Sequence, residues 1–379
     1  MTMKTTPKPS MSIPSVSIAC DDQQQKTEPG SSTLAGDKPS TNNGSKPIVP
    51  PSNTINNLSM NASIFSRLMA WSKERFPFVN MLLTASLYLL AAPLARQASH
   101  GDPSLQWFDI LGLFSAIALF LLLRILDEHK DYALDIVNHP QRVLQRGLIT
   151  LRHLKILGAI CILVMLAGNL FVDWQTMQIA TSTSSSIGIF PIAVSLSWLA
   201  MMLWLVLMTV EFFCPQWLNR HLVIYALSHM LIMPLIAVWM ATMATGTLQF
   251  TTPVLLLACL FFFSGLCFEI TRKTRGPEED RPEVESYSLI FGAKGSALIV
   301  IALLTCMSSL QLATLYQVTP NAFVYIAPAM VCCFLLGLKQ LIKFIKAPSL
   351  AGRESNEKAV GLAMLIGYWS LTGGLLIAG

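Results

Sequence analysis

The chain has 379 residues, of which 53% are hydrophobic and only 12% charged. A soluble domain carries roughly 25% charged residues, so this composition excludes an ordinary water-soluble globule and points to a chain that crosses a membrane several times. The formal net charge of +5 sits mostly in basic segments between apolar runs, which makes membrane lipid and phosphate the expected partners, with no nucleic acid required.

Residues 1–59 are rich in Ser, Thr, Pro, Asn, Lys and Gln and contain no apolar run. Such a segment buries too little surface to offset the entropy of ordering it, and a disordered cytoplasmic tail is expected. Its lack of Arg and its Asp21, Asp22, Glu28 and Asp37 argue against an organellar transit peptide. From Ile64 to Arg75 a short amphipathic stretch is predicted to lie at the membrane interface. Apolar runs of spanning length then follow near 77–97, 106–126, 153–172, 190–212, 221–246, 253–270, 294–316, 321–343 and 359–378. Residues 60–379 are therefore read as an all-α, polytopic membrane bundle of about nine transmembrane helices. Pro234 and Pro328 fall inside spans and are expected to kink them.

Charge orients the bundle. If the tail shares a side with the ends of spans two, four, six and eight, that side holds every Lys and Arg in the chain except Arg96. By the positive-inside rule it is the cytoplasmic side or its organellar equivalent. Six of the eight cysteines fall inside spans, where small apolar packing is their usual role, and no disulfide or zinc spacing is visible.

Two acid-rich segments lie at inner helix ends. The first, Asp127-Glu128-His129-Lys130-Asp131-Tyr132-Ala133-Leu134-Asp135, follows span two, and the second runs from Glu269 to Glu285 after span six. Asp127, Asp131 and Asp135 are each four residues apart, so on a helix they line one face with a drift of about 40° per step. Like charges at this spacing repel, and desolvation beside a bilayer adds to the cost unless a cation neutralises them. Mg²⁺ is the expected cation. His129 and His139 are read as loop structure, and His221 and His229 as packed or interfacial groups. Asn80, Asn169 and Glu211 are isolated polar groups at or within spans, where polarity hints at function.

Asp127-Glu128-x-x-Asp131-x-x-x-Asp135, followed by Asn138-His139-Pro140-Gln141-Arg142 and Gln145-Arg146-Gly147, resembles the first signature of the UbiA-type membrane prenyltransferase superfamily, N-D-x-x-D-x-x-x-D and then a Pro-x-Arg and Gly segment. Asp-Glu replaces the opening Asn-Asp and keeps an oxygen ligand at each place. The second signature, D-x-x-x-D, is altered: Glu269 takes the first place, Lys273 stands where the second Asp belongs, and Arg272 and Arg275 flank it. Glu278, Glu279, Asp280, Glu283, Glu285 and Gly292 follow. The resemblance covers 60–379.

It implies a helical bundle around a central cavity open to the inner leaflet, and an enzyme that uses Mg²⁺ to move a polyprenyl group from an allylic diphosphate to an aromatic or other lipophilic acceptor. Carried over residue by residue, it implies Asp127, Glu128, Asp131, Asp135, Glu269 and Asp280 as metal ligands, with Asp131, Asp135 and Lys273 as the catalytic residues. Lys130, Arg142, Arg146, Arg272 and Lys273 are the implied diphosphate contacts, and Lys273 with Arg272 would replace part of a second ion. The rival reading is an altered family member that carries an isoprenoid or a metal ion. Transporters place ionisable groups near the membrane midplane, whereas these spans are almost free of charge, which favours the enzyme. A CDP-alcohol phosphotransferase would need D-x-x-D-G-x-x-A-R, which this chain lacks.

Overall fold

The structure is a computed structural model that describes residues 61–183, 192–279 and 286–378. The expected tail at 1–59 lies outside the described residues, as do Asp280, Arg281, Glu283 and Glu285 of the second acidic segment and the first residues of the expected fourth span. Among the described residues helices are the only regular structure.

Helix α1 (Ile64–Arg75) starts where the Ser63 hydroxyl accepts the Ser66 N–H at 3.2 Å and stops ahead of Pro77, whose ring disfavours helical geometry in the residue before it. The amphipathic stretch expected over Ile64–Arg75 is thus a helix with those bounds. The long apolar helices are α2 (Phe78–Ala98), α3 (Asp109–Lys130), α5 (Leu151–Thr183), α10 (Thr252–Arg272), α11 (Tyr287–Val318), α12 (Pro320–Lys346) and α13 (Leu350–Ala378). Between α3 and α5 runs the short α4 (Tyr132–Asn138).

The expected span 221–246 is broken into α8 (Leu222–Met230) and α9 (Ile232–Thr245). Pro234 has no N–H to give to the Met230 carbonyl, so the helix parts just upstream, at Leu231. By contrast, α12 continues through Pro328. Counting α8 and α9 as one crossing, eight helical segments among the described residues are long and apolar enough to span a bilayer. The ninth apolar helix, α6 (Ala193–Thr209), has only 17 residues. Its first N–H groups, from Val194 and Ser195, are accepted by the Asp173 carboxylate of α5 at 3.0 Å each, an anion placed at the positive end of a helix.

α2 lies at the centre, packed on α3, α9, α10 and α13. Its inward stripe of Leu90, Ala91, Leu94 and Ala95 is fully buried. Where α2 meets α3 the approach is close enough to require Gly112, because a Cβ there would stand 1.9 Å from the Tyr88 ring. On the far end Arg96 is buried in an ion pair with Asp109, which also accepts the Tyr88 hydroxyl at 3.1 Å. α12 is the least covered span, with 17% of its apolar window buried; its Val324, Tyr325, Val331, Leu335 and Ile342 face outward, as lipid-facing residues must. A separate small core of Trp71, Ile125, Val143, Leu144, Leu148, Ile149 and Leu154 ties α1 to the segment between α4 and α5.

Candidate active site

The first acidic segment keeps its helical phase across the end of α3. The Asp131 N–H donates to the Asp127 carbonyl at 2.9 Å, Asp135 to Asp131 at 2.8 Å, and His139 to Asp135 at 2.8 Å. With about 100° per residue, Glu128 and Asp135 come within about 20° of one another, while Asp127 and Asp131 lie on the flank beside them. The structure separates these two pairs.

Glu128 and Asp135 face α1 and are neutralised by guanidinium groups. Arg75, the last residue of α1, forms an ion pair with the fully buried Glu128 side chain and reaches Asp135 at 3.6 Å. Arg124 approaches Glu128 at 3.3 Å, and Arg142 holds Asp135 at 2.5 Å. Glu74 completes this layer, accepting the Val143 N–H at 3.0 Å. Desolvation raises the Glu74 carboxyl above its ordinary value despite that hydrogen bond and the nearby Arg142.

Asp127 and Asp131 stay open. The Asp127 side chain is 59% exposed, with Arg124 at 3.7 Å, and it lies within electrostatic reach of Asp131 and of Arg272 across the bundle. Asp131 is also solvent-accessible, yet surrounding protein desolvates it enough to lift its carboxyl above the usual aspartate value, with Lys130 opposing and Asp135 adding to the effect.

The second segment arrives on α10. Glu269 is held between Arg272 at 2.8 Å and Lys273 at 3.1 Å. Lys273 also lies over the Tyr225 ring, 5.6 Å from its centroid. Lys130 donates to the Tyr225 hydroxyl at 2.8 Å and is ion-paired to Glu211. The two acidic segments therefore converge through their lysines on one tyrosine of α8. His229, one turn further along α8, stacks on Tyr225 at 3.9 Å and 16°, and Phe212 and Trp204 continue the aromatic row.

Glu211 reaches Lys130 from an unusual backbone. Glu211, Phe212 and Phe213 have φ of 49°, 52° and 60°, one left-handed turn between α6 and α7 (Pro215–Arg220) with no glycine in it. Left-handed geometry costs an L-residue roughly 1–2 kcal/mol, and strain of this kind concentrates at functional sites.

Other residues of the two segments go elsewhere. Arg146 sits on the exposed segment after α4, where its N–H donates to the Arg142 carbonyl at 2.9 Å. Glu278 accepts the Leu350 N–H at 2.5 Å and Glu279 holds Arg353 at 2.9 Å, so both serve the start of α13. His129 turns Nδ1 to the Ile125 carbonyl at 2.8 Å. Gly292, with φ of 71°, bends the first turn of α11 away from its long axis. Among the described residues no three His, Cys, Asp or Glu side chains converge as a ready-made metal cage.

Sequence reasoning passes over Arg75, Glu74 and Tyr225. Arg75 is counted only as one more inner-side cation, and Tyr225 has one faint signal, its i,i+4 spacing to His229 on a single helix face. His229, expected as a packed or interfacial group, packs in the same aromatic row, with Nδ1 turned to the Tyr225 carbonyl at 2.8 Å. Asn169, another flagged group, accepts the Trp239 indole N–H at 3.0 Å in the buried interior.

No family model and no curated protein matches the sequence. Two solved structures do share its architecture. One is a digeranylgeranylglyceryl phosphate synthase in membranes, at 18% identity with a TM-score of 0.54, covering 82% of this chain and 99% of that one. The other is the apo structure of a UbiA homologue from Aeropyrum pernix K1, at 14% identity with a TM-score of 0.53, covering 76% of this chain and 97% of that one. The likeness is one of fold, and the chain is built on the UbiA-type membrane prenyltransferase fold.

Proposed function

We propose that the protein is an integral membrane prenyltransferase that moves a polyprenyl group from an allylic diphosphate to an aromatic or other lipophilic acceptor. The observation that carries this reading is the sorting of charge at one end of the bundle. Glu128, Asp135 and Glu269 are already neutralised by Arg or Lys, whereas Asp127 and Asp131 stand accessible, Asp127 within electrostatic reach of Arg124, Arg272 and Lys130 and Asp131 of Lys130 and Arg124.

Mg²⁺ rarely needs an all-protein cage, and commonly takes one or two carboxylates together with substrate phosphates. Asp127 and Asp131 fit one such ion. Glu269 does not fit a second, because two cationic side chains already occupy its oxygens. When bound, the ion would offset charge on the departing diphosphate. Lys130, Lys273 and Arg272 add fixed positive charge at the same end of the bundle, and Arg146 adds a guanidinium on the exposed segment. As the allylic C–O bond breaks, its electron pair leaves with the diphosphate, which these cations stabilise. The acceptor then bonds to the allylic carbon and releases its proton. Apolar walls formed by the spans exclude water until it does.

The test is diphosphate release from labelled allylic substrates of several chain lengths, in membranes supplied with Mg²⁺. Asp131→Asn is expected to lower release by ~100-fold or more, the scale of losing one electrostatic stabiliser of a transition state. Equal release by variant and wild type would overturn the assignment. Mn²⁺ titration is expected to find one ion per chain, and two would return Glu269 to the metal ligands.

A further inference from the structure

The left-handed turn at Glu211–Phe213 is the most strained backbone in the described residues, with three successive non-glycine residues at positive φ. It delivers a single ionic contact, Glu211 on Lys130. Without that contact Lys130 has nearer choices: Asp127 lies three residues before it on the same helix and Asp131 immediately after it. Asp127, three residues before it, is the natural partner for a flexible ammonium, and Asp131, though it does not face Lys130 on the helix, lies within its electrostatic reach.

Instead Lys130 spans to two other elements. It is paired with Glu211, beyond the end of α6, and donates to the Tyr225 hydroxyl of α8 at 2.8 Å, with its ammonium 5.1 Å from the ring centroid. An ammonium has three donors; Glu211 and Tyr225 take two, in a geometry fixed from both sides. One remains.

We propose that Glu211 is a positioning residue: its strained turn draws Lys130 off Asp127 and Asp131, leaving that carboxylate pair for the metal and turning the remaining ammonium donor toward the diphosphate. The assignment rests on the metal–diphosphate reading of the site given above. It assigns the strain a purpose, because a relaxed right-handed continuation of α6 would carry Glu211 to a different azimuth and release the lysine.

The test uses the full chain, purified in detergent or reconstituted in lipid. Mn²⁺ affinity is read by electron paramagnetic resonance, and the affinity for a non-reactive allylic thiolodiphosphate and the thermal midpoint are read in parallel. Glu211→Gln keeps the shape and removes the charge. It is expected to weaken Mn²⁺ binding about tenfold and thiolodiphosphate binding severalfold, with the thermal midpoint within a few degrees of wild type. Lys130→Met added to Glu211→Gln is expected to restore Mn²⁺ affinity, since the competing cation is gone, while thiolodiphosphate affinity stays low. A purely structural role for Glu211 gives no such split. Unchanged Mn²⁺ affinity in Glu211→Gln, or no restoration in the double variant, overturns the assignment and leaves the site reading intact. Wild-type protein that binds neither Mn²⁺ nor the thiolodiphosphate removes both together.

Discussion

Arg75 shows how far the chemistry of a site depends on one side chain that its local sequence does not advertise. It ends a short interfacial helix, yet its guanidinium is shared between Glu128 and Asp135, residues more than fifty positions later. Removing one partner of a buried ion pair costs about 3–5 kcal/mol because the other charge is left stranded. Arg124 remains 3.3 Å from Glu128, so Arg75→Met should fall toward the lower end of that range, measured as a drop in thermal midpoint. Glu74 gives a second residue-level prediction. Its carboxyl is held above the ordinary 4.5 by desolvation, so the folded state binds the proton more tightly than the unfolded chain. Stability is then highest below pH 4.5 as far as this group is concerned, and is lost as pH rises through the elevated folded value. Glu74→Gln should flatten that slope in a thermal-midpoint series across mildly acidic pH. The spacing of Asp127, Asp131 and Asp135 is legible in the sequence because a helix has a fixed period. Which of these acids meets an arginine is not legible, since the partner comes from another helix and the choice is made by packing.

Elements show the same division. The period and the apolar length of the spans announce most of the helices, including the interfacial α1. Pro234 announces a kink, and the structure turns it into a full break between α8 and α9. Pro328, of the same residue type in a similar setting, leaves α12 continuous, so a proline marks where a helix is able to part, and the surrounding packing decides. The left-handed turn had no announcement at all, because nothing in Glu-Phe-Phe favours positive φ. Phe213 is 80% exposed and sits at φ 60°, so Phe213→Gly should relieve strain while giving up little packing inside the protein. The expected result is a thermal midpoint raised by a few degrees, and Phe213→Val, which tolerates positive φ least, should lower it. The cap over the first acidic segment offers a further test. Trp71 is fully buried in the small core joining α1 to the segment after α4, and truncating a buried Trp costs about 3–5 kcal/mol. Trp71→Ala should therefore open the 139–150 segment to limited proteolysis before the rest of the bundle yields.

At the scale of the whole molecule, if α6 crosses the membrane beside the eight long segments found among the described residues, the count is odd, and the two termini are then predicted to lie on opposite sides of the membrane. A reporter fused after Gly379 and a protease-sensitive tag before Met1 should report opposite compartments, with the tag on the side of Lys130, Lys273 and Lys343. Finding both on one side would mean that α6 does not cross. That helix is the least ordinary of the nine: at 1.5 Å per residue, its 17 residues extend about 25 Å, several Å less than the roughly 30 Å of hydrocarbon in a typical bilayer. Lipid beside it must either thin or admit water to reach the polar turn at Glu211. A crossing by α6 would thus dimple the bilayer on the flank that leads to Lys130 and Tyr225, lowering the barrier for a headgroup arriving from the leaflet.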